Sequence, residues 1–297
     1  MSSTPRKRPA ASAPQSPPHK SKVAAASERK GSFEAALDPS SPPHTLILGT
    51  QPGDVSLEAN RYYDFHTNAM WHIVGDALGW TRGWKDARGR GPTKSITRST
   101  LHTRECASYD EALRSLTARG YALWDVLSES DRAGSLDGAI DKRTAKAADV
   151  RGLLQLHPTI STICLASGGT TAKFFKAHFK DWLKEEGAFS VAADGQSQKE
   201  FGKLVPGGGA ITLVVMESVS PAYVPRVAHG ANPADSEAFH KRREAYADAG
   251  YPQLSRRASA YAWKRQQWFD ACFQRELSAD AAALRFGERA GDFVDDT

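Results

Sequence analysis

Apolar positions along this chain fall into two alternating rhythms. Short unbroken runs, of which Leu46-Ile47-Leu48 is the clearest, read as strands buried on both faces. Such runs predict strands at 45–49, 121–126, 160–166 and 210–216. Between them the spacing changes to three and four residues. Met70, Ile73, Val74, Ala77 and Leu78 share one helical face, and Phe175, Phe179, Trp182 and Leu183 repeat the pattern. Helices are predicted at 68–79, 107–119, 145–156, 170–185, 235–248 and 258–276. Strands alternating with helices imply an α/β protein whose mainly parallel central sheet is covered on both faces.

Polar stretches set the boundaries. Residues 1–43 are rich in Ser, Pro, Ala and Lys and show no periodicity, so a disordered basic tail is expected there. Residues 44–280 then form the folded domain, and 281–297 a C-terminal extension. Segments 81–104 and 186–209 read as loops, the second ending in Pro206-Gly207-Gly208-Gly209.

Composition narrows the function classes. At 297 residues, with 40% apolar and 25% charged residues, the chain has enough material for one full core. No apolar run is long enough to span a membrane, and no secretory core is present near residue 1. Cys106, Cys164 and Cys272 are odd in number and widely separated, which gives neither a disulfide framework nor metal-ligand spacing. No metal and no cofactor is expected.

Charge is unevenly placed. Residues 1–32 carry seven Lys/Arg against Glu28, and residues 81–104 carry seven against Asp86, although the whole chain is only +5. Two basic patches on an otherwise acidic body suggest an anionic polymer as partner. Arg6-Lys7-Arg8 and Lys20-Ser21-Lys22 suit either nuclear import or an arm on DNA phosphates. The expected location is the nucleus, with mitochondrion and cytoplasm as alternatives, and a monomer is expected.

The first predicted strand ends in a sharp turn, Gly49-Thr50-Gln51-Pro52-Gly53, followed by Tyr62-Tyr63, Asn68 and a helix. Open α/β sheets bind ligands beyond the carboxyl ends of their strands. Aromatics and an uncharged amide near that edge suit a flat, polar, uncharged ligand such as a nucleobase. These residues, with Ser56-Leu57 and Trp71, resemble the first motif of the hypoxanthine-DNA glycosylases, a branch of the uracil-DNA glycosylase superfamily. Three further blocks follow in the family's order. They are Leu123-Trp124-Asp125-Val126 with Gly134-Ser135-Leu136-Asp137, Thr162-Ile163-Cys164-Leu165 leading to Ser167-Gly168, and Ser218-Val219-Ser220-Pro221-Ala222. The resemblance spans roughly residues 44–275.

The resemblance implies a three-layer α/β/α sandwich and a monofunctional glycosylase that removes deaminated bases from DNA. Hypoxanthine would be the first substrate, with uracil and xanthine as further candidates. Asn68 would direct water at C1′, although an Asn ahead of an amphipathic helix is also a good N-cap. Gln51 stands where many superfamily members carry a catalytic Asp or Asn. It is a second catalytic candidate, or a base contact, or a plain turn residue. Gly49, Thr50, Pro52, Gly53, Tyr63, Asp125 and Ser167 would line the base pocket, with Tyr63 stacking on the base. Backbone N–H groups of the turn would donate to the departing base. Ser218, Ser220, Pro221, Ala222 and Tyr223 would contact DNA, Tyr223 as a wedge. Ser135-Leu136-Asp137 reads as a loop-shaping element.

The sequence also departs from the family's pattern, at Ala148, Ser167, Glu217 and Tyr223. Glu217 would put negative charge near the expected phosphate path. Two other readings follow. One is a binding module on the same fold without activity, and the other a nucleoside hydrolase acting on small molecules, which the basic segments disfavour.

Overall fold

A computed structural model describes residues 27–97, 100–101, 106–167, 169–185, 187–191, 211–223 and 256–276. The predicted helix at 235–248, the basic clusters near residues 6 and 20, and the extension after residue 280 lie outside the described residues.

Five strands form the central sheet: β2 (Thr45–Gly49), β5 (Tyr121–Asp125), β8 (Thr162–Leu165), β9 (Phe189–Val191) and β10 (Ile211–Val215). Their order is β5-β2-β8-β10-β9, and every pairing is parallel. Leu48 lies opposite Trp124 on one side and Leu165 on the other. All five positions of β2 are buried, as a strand covered on both faces requires.

The pleat sends alternate side chains to opposite layers. Ile47, Leu123, Cys164 and Val214 join one apolar cluster with Met70, Trp71, Ile73 and Val74 of α2 (Met70–Leu78). The same layer takes Ala112 and Leu116 of α4 (Tyr109–Thr117), and Tyr261, Trp268 and Phe269 of α7 (Arg256–Ala271). Leu46, Leu48, Ile163, Leu165, Leu213 and Val215 face the other layer, with Val150 and Leu154 of α5 (Val150–Leu156) and Phe174 and Phe175 of α6 (Gly169–His178). The three-layer α/β/α sandwich is therefore observed. No helix of the described residues is long and apolar enough to cross a membrane.

The expected tail does not reach residue 43. Glu28–Gly31 is β1, antiparallel to β6 (Leu127–Arg132), which also pairs with β7 (Lys146–Ala147). Ala36 and Leu123 exchange backbone hydrogen bonds of 2.8 and 2.9 Å, extending the covered edge of β5. The Lys30 ammonium is buried between the Asp54 carboxylate and the Gly134 carbonyl. A polar strand whose partners are a hundred residues away leaves no hydrophobic rhythm to read, so residues 28–43 look like tail by composition.

Other boundaries shift by local chemistry. The helix predicted from 145 starts at 150, because Asp149 caps it through Gly152 N–H at 2.9 Å and Lys146–Ala147 pair with β6. The helix predicted over 170–185 divides into α6 and a 3-10 turn, Trp182–Lys184. The two predicted loops hold short elements: β3 (Thr81–Arg82) and α3 (Lys94–Thr97) in the first, and β9 in the second.

Candidate active site

Parallel strands of one sheet all end on one edge, and here hydrogen bonds lace those ends together. The Gly49 and Thr50 carbonyls accept from Val126 and Leu127 N–H at 2.9 and 3.1 Å. Ala166 N–H donates to Leu48 O at 2.8 Å, Val219 N–H to Ala166 O at 3.3 Å, and Ala69 N–H to Val219 O at 2.9 Å. The ladder runs from the first turn to the segment before α2, so Asn68 stands at the same edge as Gly49. The N–H groups of Thr50 and Gln51 form no hydrogen bond among the described residues. They are available as donors to a developing negative charge.

Gly49, Tyr63 and Asp125 meet at the tip of β2. A Cβ on Gly49 would collide with Asp125 Oδ1 and lie 2.9 Å from the Tyr63 hydroxyl, so only glycine fits. Tyr63 has φ +53°, a left-handed conformation that a bulky side chain adopts at a cost and that clusters at functional sites. Its hydroxyl is buried without a hydrogen-bond partner among the described residues. Burial raises that phenol well above its usual range, with the Asp125 charge adding to the effect. Asp125 is 3% exposed. Its Oδ2 accepts from Ser32 Oγ at 2.7 Å. Burial raises its carboxyl to about 7, opposed by the Ser32 hydrogen bond and pushed further by Asp137.

The Gly134-Ser135-Leu136-Asp137 loop belongs to the same cluster. Ser135 Oγ accepts from Asp54 N–H at 3.0 Å, and its Cβ sits 3.4 Å from where a Gly53 side chain would start. Gly53 itself is extended, with φ −77°, and a Cβ there would make only ordinary contact with Ser135, so neither backbone freedom nor space requires this glycine. Ser167 N–H donates to Thr171 Oγ1 at 3.2 Å, and Thr171 Oγ1 lies 2.8 Å from Thr50 Oγ1. The Thr50 hydroxyl also favours the charged form of the Asp137 carboxyl. Through the Thr171 hydroxyl the turns that follow β2 and β8 are tied to each other. Asp137 is nevertheless raised, mainly by burial. Arg132 is wholly buried; it donates to Pro52 O and lies 3.8 Å from Asp137. Its Nε and Nη1 form no hydrogen bond among the described residues.

Arg132, Asp137 and Ser32 were not singled out from the sequence as site residues. The signal for Asp137 was present in its motif, but nothing in a serine of a polar segment marks Ser32. Leu136, 65% exposed, and Tyr223, 37% exposed, are the large apolar side chains left in solvent beside these segments.

Gln51 departs from the catalytic expectation. Its Nε2 donates to the Lys30 carbonyl at 2.7 Å and its Oε1 accepts from Ser130 Oγ at 2.6 Å. The side chain is 7% exposed and clamps β1 and β6 to the turn. Both ends of the amide are engaged within the fold, which gives this buried side chain a structural role.

Asn68 is half-buried, and its Oδ1 accepts from Met70 N–H at 2.9 Å. The N-cap residue of α2 is Ala69, so Asn68 is not the cap that the local sequence allowed; it sits one residue earlier and holds the first helical N–H, and its oxygen keeps a second lone pair. His72, one turn later, is 1% exposed with neither ring nitrogen hydrogen-bonded among the described residues. Burial lowers it to about 3, with Arg82 adding to the effect.

The last motif folds as successive hydroxyl turns. Ser218 Oγ accepts from Ser220 N–H and Ser220 Oγ from Ala222 N–H, both at 3.3 Å. Lys264 Nζ donates to the Ser220 carbonyl at 2.8 Å and lies 5.4 Å from the Tyr223 ring centre. Burial lowers Lys264 to about 8. Glu217 is 7% exposed beneath α7, its carbonyl held by Trp268 Nε1 at 3.0 Å. Its charge therefore does not lie on an open phosphate path as expected.

The basic loop is also partly neutralised. Arg82 is buried and donates to the Asp64 and Phe65 carbonyls. Arg88 pairs with Glu58, and Arg90 with Asp86. An open cleft of about 480 Å³ runs along α5, lined by Glu34, Trp124, Asp149 and Leu156 among others, and includes none of the strand-tip residues.

No family model matches the chain. A hypoxanthine DNA glycosylase of Methanosarcina acetivorans is 28% identical over 135 residues, covering 46% of this chain and 69% of that protein. One from Methanosarcina barkeri is 26% identical over 112 residues, covering 38% of this chain and 56% of that protein. A solution NMR structure from Methanosarcina acetivorans, provisionally designated a uracil DNA glycosylase, aligns with a TM-score of 0.41 at 22% identity over 71% of this chain and 94% of that one. The fold assignment rests on the parallel sheet and its two helical layers, not on that likeness. Both sequence relatives are archaeal, and archaeal cells have no nucleus, so they lend no support to a nuclear address.

Proposed function

We propose that this chain, a relative of the hypoxanthine-DNA glycosylase branch of the uracil-DNA glycosylase superfamily, is a monofunctional DNA glycosylase. It hydrolyses the N-glycosidic bond of deaminated bases, hypoxanthine foremost, with uracil and xanthine as further candidates. The observation that carries the reading is the meeting of Gly49, Tyr63 and Asp125 at the sheet edge where the Asn68 segment is also tied.

The chemistry follows from that edge. The base leaves the duplex, at a cost of a few kcal/mol, and lies beside the Asp125 and Tyr63 side chains that close over Gly49. Thr50 and Gln51 N–H groups donate to charge developing on the departing base. An oxocarbenium-like sugar needs only a weakly basic group to orient its water, and the free lone pair of Asn68 Oδ1 serves. The hydrogen bond from Met70 N–H holds that oxygen in one direction. Ser218 and Ser220 supply hydroxyls for phosphates, and Tyr223 or Leu136 fills the gap in the stack.

Duplexes carrying one deoxyinosine, deoxyuridine or deoxyxanthosine, treated with the protein and then with alkali, test the reading. Strand breaks at deoxyinosine are expected. No break at any lesion would favour a binding module; base release from free nucleosides alone would favour a nucleoside hydrolase.

A further inference from the structure

Asp125 carries more than a lining role. Of its two oxygens, Oδ2 is held by Ser32, while Oδ1 forms no hydrogen bond among the described residues and points over the bare Cα of Gly49. The groups that face it are the hydroxyls of Ser32, Tyr62 and Tyr63, the carboxylate of Asp137 and the guanidinium of Arg132. Lys30, on β1, is already paired with Asp54. One buried guanidinium therefore stands against two carboxyls. It lies 3.8 Å from Asp137, which leaves Asp125 without a cation of its own. Two carboxyls that share one compensating charge do not both ionise readily, and the group lacking the cation keeps its proton.

Resting on the glycosylase reading, we propose that Asp125 is the general acid for purine departure: its Oδ1 proton passes to N7 of the extruded base as the C1′–N9 bond breaks. The electron pair of that bond goes to the purine, which leaves as the neutral N7–H tautomer. Water adds to C1′ and loses a proton, and that proton restores the Asp125 carboxyl. The step consumes only water. A pyrimidine leaving through N1 has no N7, so its release does not use this proton. This step thereby favours purines over uracil by leaving-group chemistry and not only by pocket shape. An aspartate raised by burial and kept neutral as a donor is an established use of a carboxylic acid.

Single-turnover release of hypoxanthine from deoxyinosine duplex, measured across roughly pH 5 to 9, reads this directly. Wild type is expected to lose rate above about pH 7, where Asp125 ionises. Asp125→Asn keeps the shape and is expected to lower the rate about 10²-fold or more and to flatten that limb. Ser32→Ala removes a hydrogen bond that favours the carboxylate, so the limb should move to higher pH. A 7-deazadeoxyinosine duplex offers no N7 and should be released by wild type at only the rate of the Asp125→Asn variant. Because the limb and the deaza substrate are read on wild type, the test survives a variant that fails to fold. Hypoxanthine release with no alkaline limb, or equal release of the deaza base, overturns the general-acid assignment and leaves the glycosylase reading standing. No release from any lesion overturns both.

Discussion

At the scale of single residues, the site is defined by what cannot be there. Gly49 has no room for a methyl group, because Asp125 Oδ1 and the Tyr63 hydroxyl already occupy that volume. Gly49→Ala must therefore displace one of the two, neither of which is a loose end of a flexible chain. Base release should fall by about 10²-fold or more, since misplacement by an ångström costs that much in a positioned site. A variant that retains wild-type release would show that the placement of Asp125 and Tyr63 over Gly49 does not matter for base release. Gly49, Tyr63 and Asp125 were legible from sequence because each sits beside a strand end or in a specific motif. The direction of Gln51 was not legible, because its partners, the Lys30 carbonyl and Ser130, come from strands that the sequence pattern does not announce.

At the scale of elements, α2 links the catalytic edge to acid stability. His72 is buried in its first turns, and burial holds it neutral with a value of about 3. An unfolded chain binds a proton at His72 near its ordinary value, about 6.5. The folded form binds that proton only at much lower pH. The stability tied to neutral His72 is thus complete above about pH 6.5 and lost as pH falls toward 3. Thermal melts should show a decline through that window, and His72→Phe should flatten it; an unchanged decline would place the acid sensitivity elsewhere. Elements with continuous apolar runs or a clean helical stripe were legible, including β2, β5, α2 and α4. Strand β6 was hidden behind Asp125-Val126, which read as the end of a strand and not as its passage into a second sheet.

At the scale of the whole molecule, the surprise is how far the N-terminal segment participates. Residues 28–43 supply β1, the buried Lys30, the Ser32 hydroxyl on Asp125 and the Phe33 ring against Tyr62 at 5.1 Å. A protein beginning at residue 44 should lose both base release and several degrees of melting temperature, whereas a basic tail dispensable for folding would leave the melt unchanged. The sandwich itself was legible because parallel sheets bury whole strands. The boundary was not, because charged residues made buried by distant partners look solvated in sequence. The basic loop shows the same limit at larger scale: Arg82, Arg88 and Arg90 are spent on Asp64, Phe65, Glu58 and Asp86 within the fold.

The claim that joins these scales is that the amide of Asn68 works at the same edge as the Gly49 turn. Single-turnover excision from a deoxyinosine duplex, compared between wild type and Asn68→Ala with duplex binding measured in parallel, tests it most directly. The expected result is a loss of nearly all base release with binding retained, beside a stability loss no larger than the roughly 1 kcal/mol of one lost hydrogen bond. Undiminished release by a folded Asn68→Ala protein would contradict it.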